Sequence, residues 1–207
     1  MKLSEIKAGD EGKEMRAYHF VGDTLLDGRP IPADGEWLTH DGPVKMGRSG
    51  LHASLDPFDA LMYAHGSTLC LVDVEDVVER GDDKLVARRR RIVQRIDATA
   101  LLREFSRWCA LLVAHLWSAP PVVREYLETG RDDLRCTAAA VAAWSGVGAA
   151  GDVVRAAALA ARATAWAAVR AAVRATAWAA EDVGDAVRAA QRKKFAEMVD
   201  EAFRCVA

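Results

Sequence analysis

A chain of 207 residues that is 51% hydrophobic and 28% charged, with a formal net charge of −2, has the apolar content to build one or two packed cores. Near neutrality would exclude a histone-like basic protein or an acidic tail if the charge were evenly spread, but residues 1–79 hold 15 acids against 7 Lys/Arg, a balance of −8, while residues 80–207 carry +6. No window supplies the roughly eighteen uncharged apolar residues of a membrane span, and the N-terminal residues lack an apolar signal core, so a cytoplasmic protein without a membrane partner is expected. Cys70, Cys109, Cys136 and Cys205 are scattered, without a Cys-x-x-Cys pair or a His at zinc-ligand spacing. They read as reduced, mostly buried thiols, and no metal site is expected.

Residues 1–14 are polar without periodicity and read as a flexible arm. Arg16-Ala-Tyr-His-Phe-Val21 alternates and is rich in aromatic and branched residues, which predicts a strand, and Asp27-Gly28 suggests a tight hairpin. A loop-rich stretch follows, with short strands at Glu36-Trp37-Leu38-Thr39 and Ser49-Gly50-Leu51-His52-Ala53-Ser54. Asp56-Pro57 places an acceptor at N-cap and Pro at N1 of a short helix carrying Phe58, Leu61 and Met62. Thr68–Val74 is the clearest buried strand, and Lys84–Ala87 starts another that runs into Arg88, Arg89, Arg90 and Arg91. Four consecutive arginines on a strand send two to each face; the run reads either as a solvated edge strand or as a basic binding surface.

From Asp97 the period changes to about 3.6. Leu101, Leu102, Phe105, Trp108, Leu111, Leu112, His115 and Leu116 form one apolar helix face, on which His115 reads as a core or interface histidine. Pro120-Pro121 ends that helix and starts the next, closed by Gly130; further helices are expected near 132–145, 152–182 and 185–204. The fold class is therefore α+β: a small mixed or antiparallel sheet domain over 15–96 after the arm, then an all-α, Ala-rich helical domain over 97–207.

From Ala138 to Ala180 about half of the residues are Ala. Ala157, Ala161, Thr164, Ala168, Ala172, Ala175 and Ala179 make a heptad seam that admits another backbone closely, within the chain or in a homo-oligomer. Arg162, Trp166 and Arg170, and Arg174 with Trp178, form i, i+4 guanidinium–indole pairs. They either fill a groove between helices or present a partner surface, and Trp and Arg are enriched in protein interfaces. Segment 137–180 carries only +3, which favours a protein partner over nucleic acid. Gly146-Val-Gly148-Ala-Ala-Gly151 matches the dinucleotide fingerprint as a string, but it follows a helix and no acid lies between Asp152 and Glu181, so it reads as an interhelical loop.

Two resemblances add to this. His19 on the first strand, Gly50-Leu51-His52, Tyr63 and Asp82 or Asp83 follow the order of elements in ADP-ribosyltransferases. The resemblance implies NAD binding, with His19 on the nicotinamide ribose, His52 in place of a Tyr, Tyr63 against the nicotinamide and Asp82 or Asp83 in place of the Glu. On the residues alone, His19 and His52 also read as ordinary half-buried strand positions. Second, Ala17-Tyr-His-Phe, Glu36-Trp-Leu-Thr39, Ser49–Ser54 with Asp56-Pro-Phe-Asp-Ala60, Leu69–Val74 and Asp83–Arg88 resemble an uncharacterised domain family of phage and prophage proteins, whose members continue into Ala-rich helical tails. That resemblance implies a phage or mobile-element accessory protein in the cytoplasm of a bacterial host. The leading expectation is non-enzymatic binding to a host protein or nucleoprotein complex through the Arg/Trp face or Arg88–Arg91, inhibition of a defence system such as CRISPR-Cas being its most concrete form, with no cofactor. An ADP-ribosyltransferase-like enzyme using NAD to modify a host target is the alternative, and direct nucleic-acid binding by the arginine run the third.

Overall fold

The computed structural model describes residues 14–112, 114–116, 118–145, 170, 173–174 and 184–206. The arm apart from Glu14, the Gly146–Gly151 string, the alanine seam, and Arg162, Trp166 and Trp178 lie outside the described residues. The chain divides into two compact units, one of residues up to Tyr63 with Thr68–Ile96, the other of Ala64–Ser67 with Asp97 onward.

The first unit is a five-stranded antiparallel sheet. β1 (Met15–Val21) pairs with β4 (Thr68–Arg80) in the register Met15↔Val74 to Val21↔Thr68. β4 turns into β5 (Leu85–Asp97), the turn closed by the Gly81 N–H on the Lys84 carbonyl at 2.8 Å. Two short strands share the other edge of β5: β3 (Leu51–Ala53) against residues 87–85, and β2 (Trp37–Thr39) against residues 91–89. Tyr18 and Ser54 exchange both backbone hydrogen bonds, at 2.8 and 3.0 Å, so the pairings β1–β4–β5–β3–β1 close into a ring.

Arg88–Arg91 therefore do not lie on an edge strand. β5 is an interior strand, with β4 on one side and β3 and β2 on the other. Leu85, Ala87 and Ile92 of this strand join the core with Ala17, Val21, Ala53, Cys70, Val72 and Val74. Leu85 and Ala87 are odd-numbered and Ile92 even, so the inward alternation slips by one residue within the arginine run, and there Arg90 turns inward, 6% exposed. β4 slips likewise between Val74 and Val77, around Asp76 at φ 54°.

α1 (Pro57–Met62) packs on β1 and buries Phe58, Ala60 and Leu61. As expected, Pro57 begins it and the Asp56 carboxylate accepts from the Phe58 N–H at 2.8 Å. Asp27-Gly28 makes a turn closed by Leu25 and Arg29, but no hairpin. Pro30 and Pro32 follow it, and a proline supplies no N–H to a partner strand, so β1 pairs instead with the distant β4.

In the second unit, the Ala98 N–H on the Ser67 carbonyl (2.9 Å) leads into α2 (Thr99–Leu112), where Asp97 Oδ1 accepts from the Thr99 N–H at 2.9 Å. α2 buries Leu102, Phe105, Cys109 and Ala110. A 3-10 turn, Ala114–Leu116, follows, and His115 on it is exposed rather than part of an apolar face, because the helical period has ended at Leu112. α3 (Pro121–Thr129) stops at Gly130, left-handed at φ 69°, and α4 (Asp132–Ser145) packs on it around Val123, Tyr126, Leu127, Ala138 and Ala142. α5 (Gly184–Val206) meets α2 through Phe195 and Phe105, ring centroids 4.8 Å apart, and its buried Gln191 donates to the Val173 carbonyl at 3.3 Å. Cys70 and Cys109 are buried as expected, and burial pushes the Cys70 thiol up to about 11. Cys136 and Cys205 are exposed, because each falls on the outer side of an amphipathic helix.

Candidate functional site

Residues that face one another across antiparallel strands share a face of the sheet, and successive residues alternate. Tyr18 faces Ser54, so His52, two residues from Ser54, is on the Tyr18 face while His19 is on the other. His52 also pairs with Val86, between the inward Leu85 and Ala87, whereas His19 lies between the inward Ala17 and Val21, opposite Cys70. The two histidines are thus separated by the sheet itself.

His52 is engaged locally. Its Nε2 accepts the Gly47 N–H at 2.8 Å, so the proton of the neutral ring sits on Nδ1. Burial first, with the Lys84 and Arg90 charges, lowers its pKa against the opposing backbone bond at Gly50. Tyr63 and Asp83 do meet: the Tyr63 hydroxyl donates to the Asp83 carboxylate, and Lys84 Nζ stands 4.2 Å above the phenol ring. The carboxylate hydrogen bond and burial together hold the Tyr63 hydroxyl above its ordinary pKa. Because Tyr63 is 46% exposed, Tyr63→Phe should cost only about 0.5 kcal/mol in a urea titration; a loss above about 2 kcal/mol would mean that the pair anchors the fold.

The arginine run is largely occupied from within. Arg88 is exposed and donates to the Gly42 carbonyl at 3.1 Å. Arg89 pairs with Glu75. Arg90 donates to the His52 carbonyl, and burial lowers its pKa to about 10. Arg91 binds both Asp73, at 3.1 Å, and Glu14. Asp73 is 2% exposed and also accepts from Arg16 Nε at 2.7 Å. Burial alone would raise the Asp73 carboxyl, but hydrogen bonds from Glu14, Arg16 and Arg91 outweigh it and hold it below its ordinary value. Glu14 is raised in turn, chiefly by its hydrogen bond with Asp73.

Over this network lies Trp37, which the sequence reading treats only as a strand residue. Its Cα partner is Arg91, and the guanidinium carbons of Arg89 and Arg91 stand 4.5 and 4.8 Å from its ring centroid. Stacking and carboxylate pairing fix both guanidinia in a half-buried patch. Arg16, Arg89 and Arg91 are balanced there by Glu14, Asp73 and Glu75. Of the helical candidates, Arg170 is half-buried and Arg174 exposed; burial first and then the Arg174 charge lower the Arg170 pKa.

Residues 15–104 match a protein-family model described as a domain of unknown function, DUF7666. Neither the curated proteins nor the solved structures contain a match to this chain. The matched segment contains the whole sheet, the residues of the Trp37 patch other than Glu14, and the start of α2.

Among the described residues no group of three His, Cys, Asp or Glu side chains is placed to hold a metal ion, and no helix is long and apolar enough to cross a membrane. Of the candidates from the sequence, Tyr63 is brought together with Asp83 and Lys84, and Arg89 and Arg91 with Trp37, Asp73 and Glu75.

Proposed function

We propose that this chain is a non-enzymatic accessory protein of a phage or mobile element that binds a host protein or nucleoprotein complex through the Trp37 patch. The observation that carries the reading is the stack of Trp37 with Arg89 and Arg91, whose guanidinia are held by ion pairs with Glu75 and Asp73. Pre-positioned Trp and Arg side chains lose little conformational freedom on docking and are the residue types richest in binding energy at protein interfaces. The balanced charge of the patch suits a protein surface better than a phosphodiester backbone, whose binding rests on net positive charge. Inhibition of a host defence system is the most concrete form of this activity.

NAD turnover is the weaker reading, because the two histidines it would combine sit on opposite faces of the sheet. Trp37→Ala should abolish whatever protection the chain gives an infecting phage against host immunity, while an unaltered urea midpoint would show that the fold survives. Full protection by Trp37→Ala would place the activity elsewhere. Millimolar NAD should leave the melting temperature unchanged; a rise of several degrees that disappears in His52→Ala would favour the enzyme.

A further inference from the structure

Three arginines of the helical unit surround one buried phenol. Arg103 and Arg107 stand one turn apart on α2, Arg135 is on α4, and all three charges act on Tyr126, which is 2% exposed on α3. A Cβ at Gly130 would stand 1.3 Å from Arg107 Nη1, so the absence of a side chain at the α3 terminus is what admits that guanidinium. Arg103 Nε, Arg107 Nη1 and Arg135 Nε are each buried without a hydrogen-bond partner. Asp132, 3.3 Å from Arg135 Nε, is the one carboxylate in ion-pair range of the three among the described residues.

All three side chains are half-buried, so their like charges are only partly screened, and a buried N–H without an acceptor is costly. Asp132 pairs with Arg135 and the Asp97 charge reaches Arg103, so among the described residues the three guanidinia outnumber the carboxylates near them, and each keeps a buried N–H without a hydrogen-bond partner. Planar guanidinium forks match the oxygens of a phosphoryl group, and a dianion would balance the charge. We propose that Arg103, Arg107 and Arg135 form a binding site for a single phosphoryl dianion, as free phosphate or a phosphate monoester. This site is independent of the Trp37 patch.

The test uses the full chain in sulfate- and phosphate-free buffer, with ionic strength fixed by chloride. Inorganic phosphate and a nucleoside 5′-monophosphate are titrated by calorimetry and thermal shift, beside an oligonucleotide without a terminal phosphate. Saturable binding of phosphate or the monophosphate is expected, weakening as the pH falls through about 6 for the monophosphate, and about one unit higher for inorganic phosphate, where each dianion takes up a proton. Equal affinities would identify free phosphate as sufficient; tighter monophosphate binding would identify an ester. Arg103→Gln and Arg107→Gln should each weaken binding about tenfold or more, the loss of one or two charge-assisted hydrogen bonds. Gly130→Ala, which displaces Arg107 without removing charge, should also weaken it. Absence of saturable binding by the unaltered protein would overturn the proposal, as would binding of the oligonucleotide alone or retention of full affinity by both glutamine variants.

Discussion

Gly50→Ala should destabilise the sheet unit by about 3–5 kcal/mol, the sum of a backbone forced into a region closed to side chains and an overpacked core. Gly50 holds φ +104°, and a Cβ there would stand 2.6 Å from Val86 Cγ2 and 2.9 Å from Val44 Cγ1. Val86, the nearer of the two, cannot retreat easily, since it is fully buried opposite His52. The close approach of residue 50 to β5 seats β3, and β3 in turn closes the ring of pairings through Ser54 and Tyr18. Gly28→Ala is the matched control: φ is +82° but no atom lies within 4 Å, so only the backbone cost of about 1–2 kcal/mol applies. Urea titrations should separate the two variants by at least about 2 kcal/mol. Equal losses would mean that packing against Val86 contributes nothing.

Asp73→Ala should cost about 2–4 kcal/mol, because it leaves Arg16 and Arg91 without the carboxylate they share. The lower part of that range is expected, since Arg16 and Arg91 are 56% and 32% exposed and water screens them. Asp73→Asn keeps the shape and loses the charge, and should fall between the variant and the native protein. The pH dependence has a definite sign. A carboxyl whose folded pKa lies below its unfolded value stabilises the fold fully above about pH 4 and loses that contribution as the pH falls through the folded value. Glu14, shifted upward, acts in the opposite sense: its contribution is present at low pH and fades as the pH rises through its raised folded value. Acid titration of Asp73→Ala should therefore show a smaller stability loss below pH 4 than the native protein. An identical acid limb in both would remove Asp73 from the account of the patch.

What the sequence makes legible is what depends on near neighbours. Asp56-Pro57 announces α1 because an N-cap acceptor and a first-turn proline act within one turn, and Pro121 with Gly130 brackets α3 for the same reason. The change of period at Asp97 separates strands from helices, giving the α+β class. What stays hidden depends on register. Whether β5 is an edge or an interior strand is decided by which strands find it, and alternation within β5 carries no record of that. The inward turn of Arg90 comes from a one-residue slip invisible in a run of four identical residues. Trp37 joins Arg89 and Arg91 only because β2 pairs at residues 89–91, some fifty residues along the chain. The opposite placement of His19 and His52 likewise follows from the Tyr18–Ser54 bridge. On α2 the Arg103 and Arg107 pair is visible as i, i+4 spacing, but Arg135 and Tyr126 join it only once α3 and α4 have packed.

Site-specific photocrosslinking can show whether this protein binds a host partner through the Trp37 patch. A photoreactive residue at Thr39, exposed and two positions from Trp37 on β2, is introduced in cells of a bacterial host, with and without Trp37→Ala. One discrete host-protein adduct is expected, which vanishes in Trp37→Ala while the variant keeps its urea midpoint. An adduct of equal yield in both, or none in cells where the chain is fully active, would contradict binding through the patch.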